Sequence, residues 1–345
     1  MGPLLFYSTS PESGLKFILM KFTKPLLILL AVTMMSACTG SKIDEKPIER
    51  PIKSQIADTK AVTYQEFRAK QKSYDSSDGA IKYIDQGEGD VILLLHGIPT
   101  SSWLYRKMVD DLVAGGHRVI APDMLGFGSS DNPDGYEVYS PENHAKRIIE
   151  LMDHLKVKTW THVMHDAGGL WTWEVFKKSP KRIKRLIVLN TIIYKEGFAP
   201  PVRLEEGRVT KFIMWLYRNK TASNTLLEQL FDKGLTENSL TEVDLEGYKT
   251  PLQEGKTKAM YYFFSNTCNE LEDYDELLNS IDIPVSIIWG GEDDMLQWAP
   301  QKERVQKSLN VQDRDIHVLN GRHFIQERFP DKISGIINRF IRRTR

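Results

Sequence analysis

Cysteine is nearly absent from this sequence: Cys38 and Cys268 are the only two in 345 residues. Two cysteines allow one disulfide at most, which excludes a small domain held together by several disulfides. An excess of charge of either sign is lacking as well, because 46 Lys and Arg residues balance 46 Asp and Glu residues. This balance gives no indication of a nucleic acid or another polyanion as a partner. The chain is long enough to bury a sizeable core, in one large domain or two smaller ones.

Motifs that bind metals, phosphates or nucleotides are also missing. The sequence has no cluster of ligating residues with metal-site spacing and no phosphate-binding loop. The pair Gly168-Gly169 does not have the spacing of the dinucleotide fingerprint G-x-G-x-x-G. No internal repeat is visible, which argues against a solenoid or a propeller. We therefore expect no metal and no organic cofactor.

A long apolar run is lacking too, since the run near the N-terminus is too short to span a bilayer comfortably. Lys21 and Lys24 precede this run, P-L-L-I-L-L-A-V-T-M-M, and S-A-C-T-G follows it. Positive charge, a short apolar run and small residues, in this order, are typical of a secretory signal peptide. Because the pattern fits a chain that starts at Met20, we interpret Met20 as the true start.

The residues S-A directly before Cys38 resemble the lipobox of bacterial lipoproteins, with Met35 where leucine is usual. The resemblance implies that residues 1–38 form the signal peptide, that Cys38 is acylated, and that residues 39–62 are a tether. The protein would then be exported and lipid-anchored in a bacterial cell envelope, on the periplasmic side of a membrane. Cys268 would have no disulfide partner. The alternative is a plain signal peptide with an incidental cysteine.

From about residue 63 onward, strand-like and helix-like stretches alternate. Apolar runs typical of buried parallel strands lie at 91–95, 118–121, 161–164, 185–189, 285–289 and 316–319. An antiparallel strand is expected near 80–85, and helical periods lie between the runs, for example at 140–155 and 170–178. This alternation predicts an α/β fold with helices on both faces of a mostly parallel sheet.

One long interval interrupts the alternation. About a hundred residues separate the runs at 185–189 and 285–289, and they are rich in aromatic residues with a mostly helical pattern. A structureless loop of that length would be unusual in a compact domain. We predict a helical cap at 192–280, inserted between core segments 63–191 and 281–345, over the sheet edge where such folds bind ligands.

Three ionisable residues each follow a predicted strand. Asp166 stands in V-M-H-D-A-G-G, Asp293 in W-G-G-E-D-D and His323 in N-G-R-H-F. The order nucleophile, acid and histidine is the order of the α/β-hydrolase fold. The motif H-G-I-P also follows a strand, which places the backbone N–H of Ile98 where it can form an oxyanion hole with that of Ala167.

Several stretches of the sequence resemble the haloalkane dehalogenases and the related epoxide hydrolases. They are L-L-L-H-G-I-P-T-S-S-W-L-Y-R-K-M (93–108), H-R-V-I-A-P-D-M-L-G-F-G-S-S-D (117–131), the elbow V-M-H-D-A-G-G, and W-G-G-E-D with G-R-H-F-I-Q-E-R-F-P. The resemblance covers about residues 75–345 and is weakest in the cap. It implies an α/β-hydrolase fold with a mostly parallel eight-stranded sheet, and an enzyme that needs no cofactor.

The resemblance also implies roles for the three ionisable residues. Asp166 attacks an sp³ carbon, displacing a halide or opening an epoxide, and forms an ester that water activated by His323 hydrolyses. A serine would leave an ether that water does not cleave. The family pattern W-G-x-x-D favours Asp293 as the acid that orients the histidine, with adjacent Asp294 as the alternative. Some dehalogenases take this acid from another strand, where Asn190 stands here and would orient without adding charge.

The side chains that donate hydrogen bonds to a leaving halide in these enzymes are missing from their usual positions. Ala167 stands where tryptophan is usual, and Ile98 where asparagine or glutamate is usual. Trp215 is a candidate replacement, whereas Tyr261 and Tyr262 resemble the cap tyrosines that protonate the alkoxide in epoxide hydrolases. We predict a dehalogenase-like hydrolase of small apolar substrates with an incomplete halide site. An epoxide hydrolase giving diols and a non-catalytic ligand-binding homologue are the alternatives.

Overall fold

The computed structural model describes residues 62–237 and 240–345. The predicted signal peptide, Cys38 and nearly all of the predicted tether lie outside these ranges. In the described part of the chain, no helix is both long and apolar enough to cross a membrane. One sheet organises this part, with the strands β1 Lys72–Ser76, β2 Gly79–Gln86, β3 Asp90–Leu95, β4 His117–Pro122, β5 Trp160–Asp166, β6 Ile183–Thr191, β7 Val285–Gly290 and β8 Ile316–Leu319.

The strands lie in the order β1-β2-β4-β3-β5-β6-β7-β8. The pairs β1–β2 and β2–β4 are antiparallel, and the other pairs are parallel. Strands β3 and β5 at the centre are buried along most of their length, as expected for parallel strands covered by helices on both faces. The predicted α/β fold with a mostly parallel eight-stranded sheet is therefore confirmed, including the antiparallel strand near residues 80–85.

Helices connect the strands and also fill the long interval between β6 and β7. Those outside the interval are α1 Tyr64–Ala69, α2 Val109–Ala114, α3 Pro141–His154, α4 Gly168–Lys178, α10 Lys302–Ser308, α11 Ile325–Arg328 and α12 Pro330–Arg343. Those inside it are α5 Arg208–Arg218, α6 Lys220–Gly234, α7 Glu242–Gln253, α8 Lys258–Tyr262 and α9 Asp275–Asn279.

Local sequence explains where helix α3 begins and which face it buries. The Ser140 side chain accepts a hydrogen bond from the backbone N–H of Asn143 at 3.4 Å, which caps the N-terminus. Pro141 occupies the first turn, where its missing N–H costs no hydrogen bond. Ile148 and Leu151 lie on the buried face, and α3 packs against α4. This packing holds α4, and with it the turn that precedes α4, against the sheet.

Candidate active site

Asp166 occupies a sharp turn between a strand and a helix. It is the last residue of β5, its φ of 52° lies in the left-handed region, and α4 begins two residues later. A Cβ on Gly97 would lie 2.3 Å from the Asp166 Cβ, and a Cβ on Gly168 would lie 2.7 Å from the His96 carbonyl oxygen. Because any side chain would clash at both positions, the two glycines allow the close approach on which the elbow depends.

The Asp166 carboxylate is held by backbone donors. The N–H of Ile98 donates to Asp166 Oδ1 at 2.7 Å. Burial raises the pKa of Asp166 above its usual value, while nearby His323 and the N–H groups of Ile98 and Ala167 act in the opposite direction. The two residues predicted to form an oxyanion hole therefore both direct their N–H groups at the carboxylate. One carboxylate oxygen is fixed in place by this contact.

The structure brings the three predicted ionisable residues together at the carboxyl ends of their strands. His323 Nε2 lies 3.6 Å from Asp166 Oδ2, and His323 Nδ1 lies 2.8 Å from Asp293 Oδ2. Asp293 is buried, whereas adjacent Asp294 is exposed. The geometry therefore places Asp293, and not Asp294, in the position of the acid that orients the histidine.

Asp293 is itself fixed by four hydrogen bonds. Its Oδ1 accepts from the backbone N–H groups of Met295 at 2.9 Å and Leu296 at 3.0 Å. Its Oδ2 accepts from the Asn190 side-chain amide at 2.7 Å as well as from His323. The Asn190 carbonyl oxygen in turn accepts from the Gly290 N–H at 2.8 Å. Asn190 thus orients the acid from the neighbouring strand without adding charge.

Two carboxylates decide the charge state of His323. Burial disfavours the imidazolium, but the Asp293 carboxylate, its hydrogen bond and the Asp166 carboxylate outweigh burial and raise the pKa of His323. A histidine with a raised pKa is a stronger base for taking a proton from water. This base lies within reach of the Asp166 carboxyl group, which is the arrangement that hydrolysis of an Asp166 ester requires.

His165, directly before Asp166, is a second buried histidine behind the site that sequence analysis did not single out. Its ring centroid lies 4.6 Å from that of His323, and its Nε2 lies 3.1 Å from the His323 backbone oxygen. Since a carbonyl oxygen only accepts, Nε2 carries the proton. Burial, and next the charge on His323, lower the pKa of His165 well below its usual value. His165 therefore supports the His323 backbone without adding a charge, a role that its residue type does not reveal.

A cavity of about 10 Å³ adjoins Ile98. Its walls are mostly aromatic or apolar, and they come from the segment before β6 and from the interval between β6 and β7. The lining residues are Ile98, Phe127, Tyr139, Pro141, His144, Trp171, Ala259, Phe263 and Thr267. This volume lies far below the usual range of about 300–1,000 Å³ for ligand sites and leaves room for about one water molecule. Ile98 connects this cavity with the active site, because its backbone N–H donates to Asp166 Oδ1.

None of the three predicted leaving-group donors is among the described residues that line this cavity. Trp215 is 53% exposed and stacks on Phe212. The Tyr262 hydroxyl donates to Glu137 at 3.3 Å, and the Tyr261 hydroxyl accepts from the Gly207 N–H at 3.0 Å. Their role as leaving-group donors therefore stays a prediction, with no support from the lining of this cavity.

Comparisons with known proteins identify the fold family and several relatives of this chain. Residues 90–330 match the family model described as alpha/beta hydrolase fold. A haloalkane dehalogenase from Mycolicibacterium paratuberculosis is 40% identical over 34% of this chain, which corresponds to only 38% of the relative's length. Haloalkane dehalogenase 2 from Mycobacterium tuberculosis is 29% identical over 77% of this chain and 93% of its own.

A solved structure supports the same architecture. The epoxide hydrolase VrEH1 from Vigna radiata superposes with a TM-score of 0.61 at 19% identity, covering 79% of this chain and 97% of the other. At this identity the likeness bears on the fold alone. Together, the family match over residues 90–330, the sheet order and the elbow lead to one conclusion. The chain belongs to the α/β hydrolase fold family.

Proposed function

We propose that the protein is a hydrolase of the haloalkane dehalogenase type, in which Asp166 forms an alkyl ester that water then hydrolyses. One observation supports this proposal above all others. A carboxylate occupies the nucleophile elbow, with Oδ1 bound by the Ile98 N–H and Oδ2 3.6 Å from His323 Nε2. A carboxylate in this position fits attack on an sp³ carbon, because the product is an ester that the same histidine can help to cleave.

In the first step, the less restrained Asp166 Oδ2 attacks the carbon. An oxygen–carbon bond forms, the bond from carbon to the leaving group breaks, and the electron pair departs with the leaving group. Oδ1 stays at the Ile98 N–H and becomes the carbonyl oxygen of the ester.

In the second step, His323 Nε2 takes a proton from water, and the resulting hydroxide adds to the Asp166 Cγ. Negative charge develops on Oδ1, where the N–H groups of Ile98 and Ala167 stabilise it. Collapse of this intermediate breaks the Cγ–Oδ2 bond, and the alkoxide takes the proton from His323 to leave as an alcohol. The new carboxyl group loses its proton to solvent, and the overall products are alcohol, halide and a proton.

An epoxide hydrolase is the second candidate. Ala167 and Ile98 offer backbone N–H groups but no side-chain donor for a halide, and epoxide opening uses the same Asp166 and His323. In that reaction the departing oxygen stays attached to the alkyl group, and the product is a diol. The helices at 192–280 would close the site over either substrate, and a small apolar substrate fits both chemistries.

Oxygen-18 labelling distinguishes this mechanism from direct attack by water. Excess enzyme is allowed a single turnover with a short bromoalkane, and separately with a small epoxide, in oxygen-18 water. We expect label in the peptide that contains Asp166 and an unlabelled alcohol or diol, measured by mass spectrometry. Bromide release or diol formation separates the two candidates. A labelled product without label on Asp166 would indicate direct attack by water, and absence of product with both substrate types would leave the third alternative, a protein that binds ligands without turnover.

For the N-terminus, which lies outside the described residues, we propose export and lipid anchoring through Cys38. The support is the sequence S-A-C after a short apolar run. In bacterial cells that express the full chain, Cys38→Ala is expected to move the protein from the membrane fraction to the soluble fraction. Cys268→Ala is the control, because that cysteine is buried in the folded domain. Unchanged membrane retention of Cys38→Ala would contradict the anchor.

A further inference from the structure

Two aromatic nitrogen donors lie in the wall of the cavity beside Ile98. They belong to His144 on α3 and Trp171 on α4, which are 1% and 3% exposed. Their ring centroids lie 4.4 Å apart. Neither donor belongs to Ala167 or Ile98, the two residues whose side chains offer no donor.

The hydrogen bonding of His144 fixes which of its nitrogens donates. Arg147 Nη2 lies 3.3 Å from His144 Nδ1. Since a guanidinium group only donates, Nδ1 accepts, and a neutral ring then carries its proton on Nε2. Burial, and next the charge of Arg147, hold the pKa of His144 well below its usual value and keep the ring neutral. Asp78 lies 2.8 Å from Arg147 and balances its charge.

Trp171 approaches the same cavity from the nucleophile helix. It follows Ala167 by one helical turn, and its backbone N–H donates to the Ala167 carbonyl oxygen at 3.4 Å. Within the described part of the chain, its side chain makes ring contacts with His96, Phe127 and His144. Its indole nitrogen is donor-only and has no hydrogen-bond acceptor among the described residues. The indole is therefore a free donor in the wall of the cavity.

We propose that Trp171 Nε1–H and His144 Nε2–H form the leaving-group site, which binds the anion released when Asp166 attacks the substrate. This inference rests on the proposed function. The two N–H groups would take the place of the side-chain donors that are missing at Ala167 and Ile98. Trp171 lies on α4, one turn after Ala167, and His144 lies on α3. Preorganised N–H donors in a water-poor cavity stabilise a developing anion without moving.

The chemistry of the pair selects the leaving group. A neutral imidazole and an indole donate hydrogen bonds but do not readily give up a proton. A halide leaves as a stable anion and needs only hydrogen bonds, whereas the alkoxide from an epoxide has to be protonated. The site therefore assigns alkyl halides, and not epoxides, as the substrate class of this active site.

Bromide binding tests the site independently of turnover. Sodium bromide is titrated into the parent protein and into Trp171→Phe and His144→Phe, with calorimetry as the readout. We expect each variant to bind bromide about 10- to 100-fold more weakly, because each loses a hydrogen bond to a charged group. Trp215→Phe, at an exposed position, is the matched control and is expected to bind as the parent does. Equal binding by all four proteins, or no binding by the parent, would overturn the site.

Single-turnover kinetics with a bromoalkane and an epoxide complete the test. In Trp171→Phe we expect ester formation from the bromoalkane to slow about 100-fold, while hydrolysis of the ester keeps the parent rate. Parent-like ester formation in both variants would overturn the leaving-group site and leave the proposed function standing. Weaker bromide binding by the two variants, together with a parent that binds bromide but forms no ester, would support the site and remove the proposed function. If the parent forms the ester faster from the epoxide than from the bromoalkane, the assignment of alkyl halides as substrates would be overturned.

Discussion

His323→Gln is expected to stop the reaction after the first step and to accumulate an alkyl ester on Asp166. In the proposed mechanism, attack by Asp166 does not need the histidine, whereas hydrolysis of the Asp166 ester needs a base that takes a proton from water. General-base catalysis contributes about 10²- to 10⁴-fold in enzymes, and turnover should fall by this order. Intact-protein mass spectrometry after incubation with a short bromoalkane should show a mass gain equal to the alkyl group. Peptide mapping should place this gain on Asp166.

Asp166→Asn is the control for this trap, because an amide in the same position is a poor nucleophile and should gain no mass. The parent provides a second control through its pH dependence. In the proposed mechanism only neutral His323 activates water, so ester hydrolysis should speed up as pH rises through the pKa of His323. The Asp293 carboxylate acts to raise that pKa, whereas Asp166 carries no charge while it is esterified. Steady turnover by His323→Gln at the parent rate, or an adduct on Asp166→Asn, would contradict the proposed roles.

Arg106→Met is expected to cost more stability than any surface substitution. The Arg106 guanidinium binds Glu327 through two contacts, at 2.5 and 2.9 Å, and also contacts Asp244 on α7. The side chains of Arg106 and Glu327 are only 8% and 1% exposed. Removing one partner of a buried ion pair costs about 3–5 kcal/mol when the remaining charge is left without a partner. Because Glu327 keeps the Lys107 ammonium at 2.9 Å, we expect a loss at the lower end, about 3 kcal/mol. Urea unfolding at neutral pH, followed by circular dichroism, measures this loss.

Arg304→Met is the matched control. Arg304 also faces two carboxylates, of Glu196 at 2.6 Å and Asp275 at 2.5 Å, but its side chain is 37% exposed. Because water screens an exposed ion pair, the loss there should be at most about 1 kcal/mol. Equal losses for the two variants would mean that burial does not set the strength of the Arg106 pair. The second substitution in Arg106→Met/Glu327→Leu should restore part of the stability, since it removes a buried carboxylate that has lost its guanidinium partner.

Most of the sheet was predictable because its central strands are buried on both faces. Such strands appear in the sequence as continuous apolar runs, as in D-V-I-L-L-L of β3. Strand β1, K-S-Y-D-S, was missed because it lies at the sheet edge, pairs with one neighbour and is largely polar and exposed. Its strand conformation depends on pairing with β2, which leaves no signal in an apolar pattern.

The positions of Asp166, Asp293 and His323 were predictable for a topological reason. Parallel strands end at one edge of the sheet, so residues that directly follow them come close together although they are far apart in the chain. The family pattern W-G-x-x-D favoured Asp293 over Asp294, but only the structure shows which of the two adjacent side chains is buried against His323. The contact between Arg106 and Glu327, 221 residues apart, has no local signature either. The same holds for the arrangement of His144 and Trp171, which depends on how α3 packs against α4.

The hydrogen bond from Ile98 to Asp166 makes the two oxygens of one carboxylate chemically distinct. Oδ1 stays at its donors through both proposed steps, whereas Oδ2 leaves with each alcohol and is replaced from water. In the proposed mechanism, the nucleophile is therefore a reactant that gives up one atom in every cycle and recovers it from the solvent. In each cycle Oδ1 is retained and Oδ2 is replaced from water. The oxygen atom in each alcohol therefore comes from the water that hydrolysed the ester in the preceding turnover.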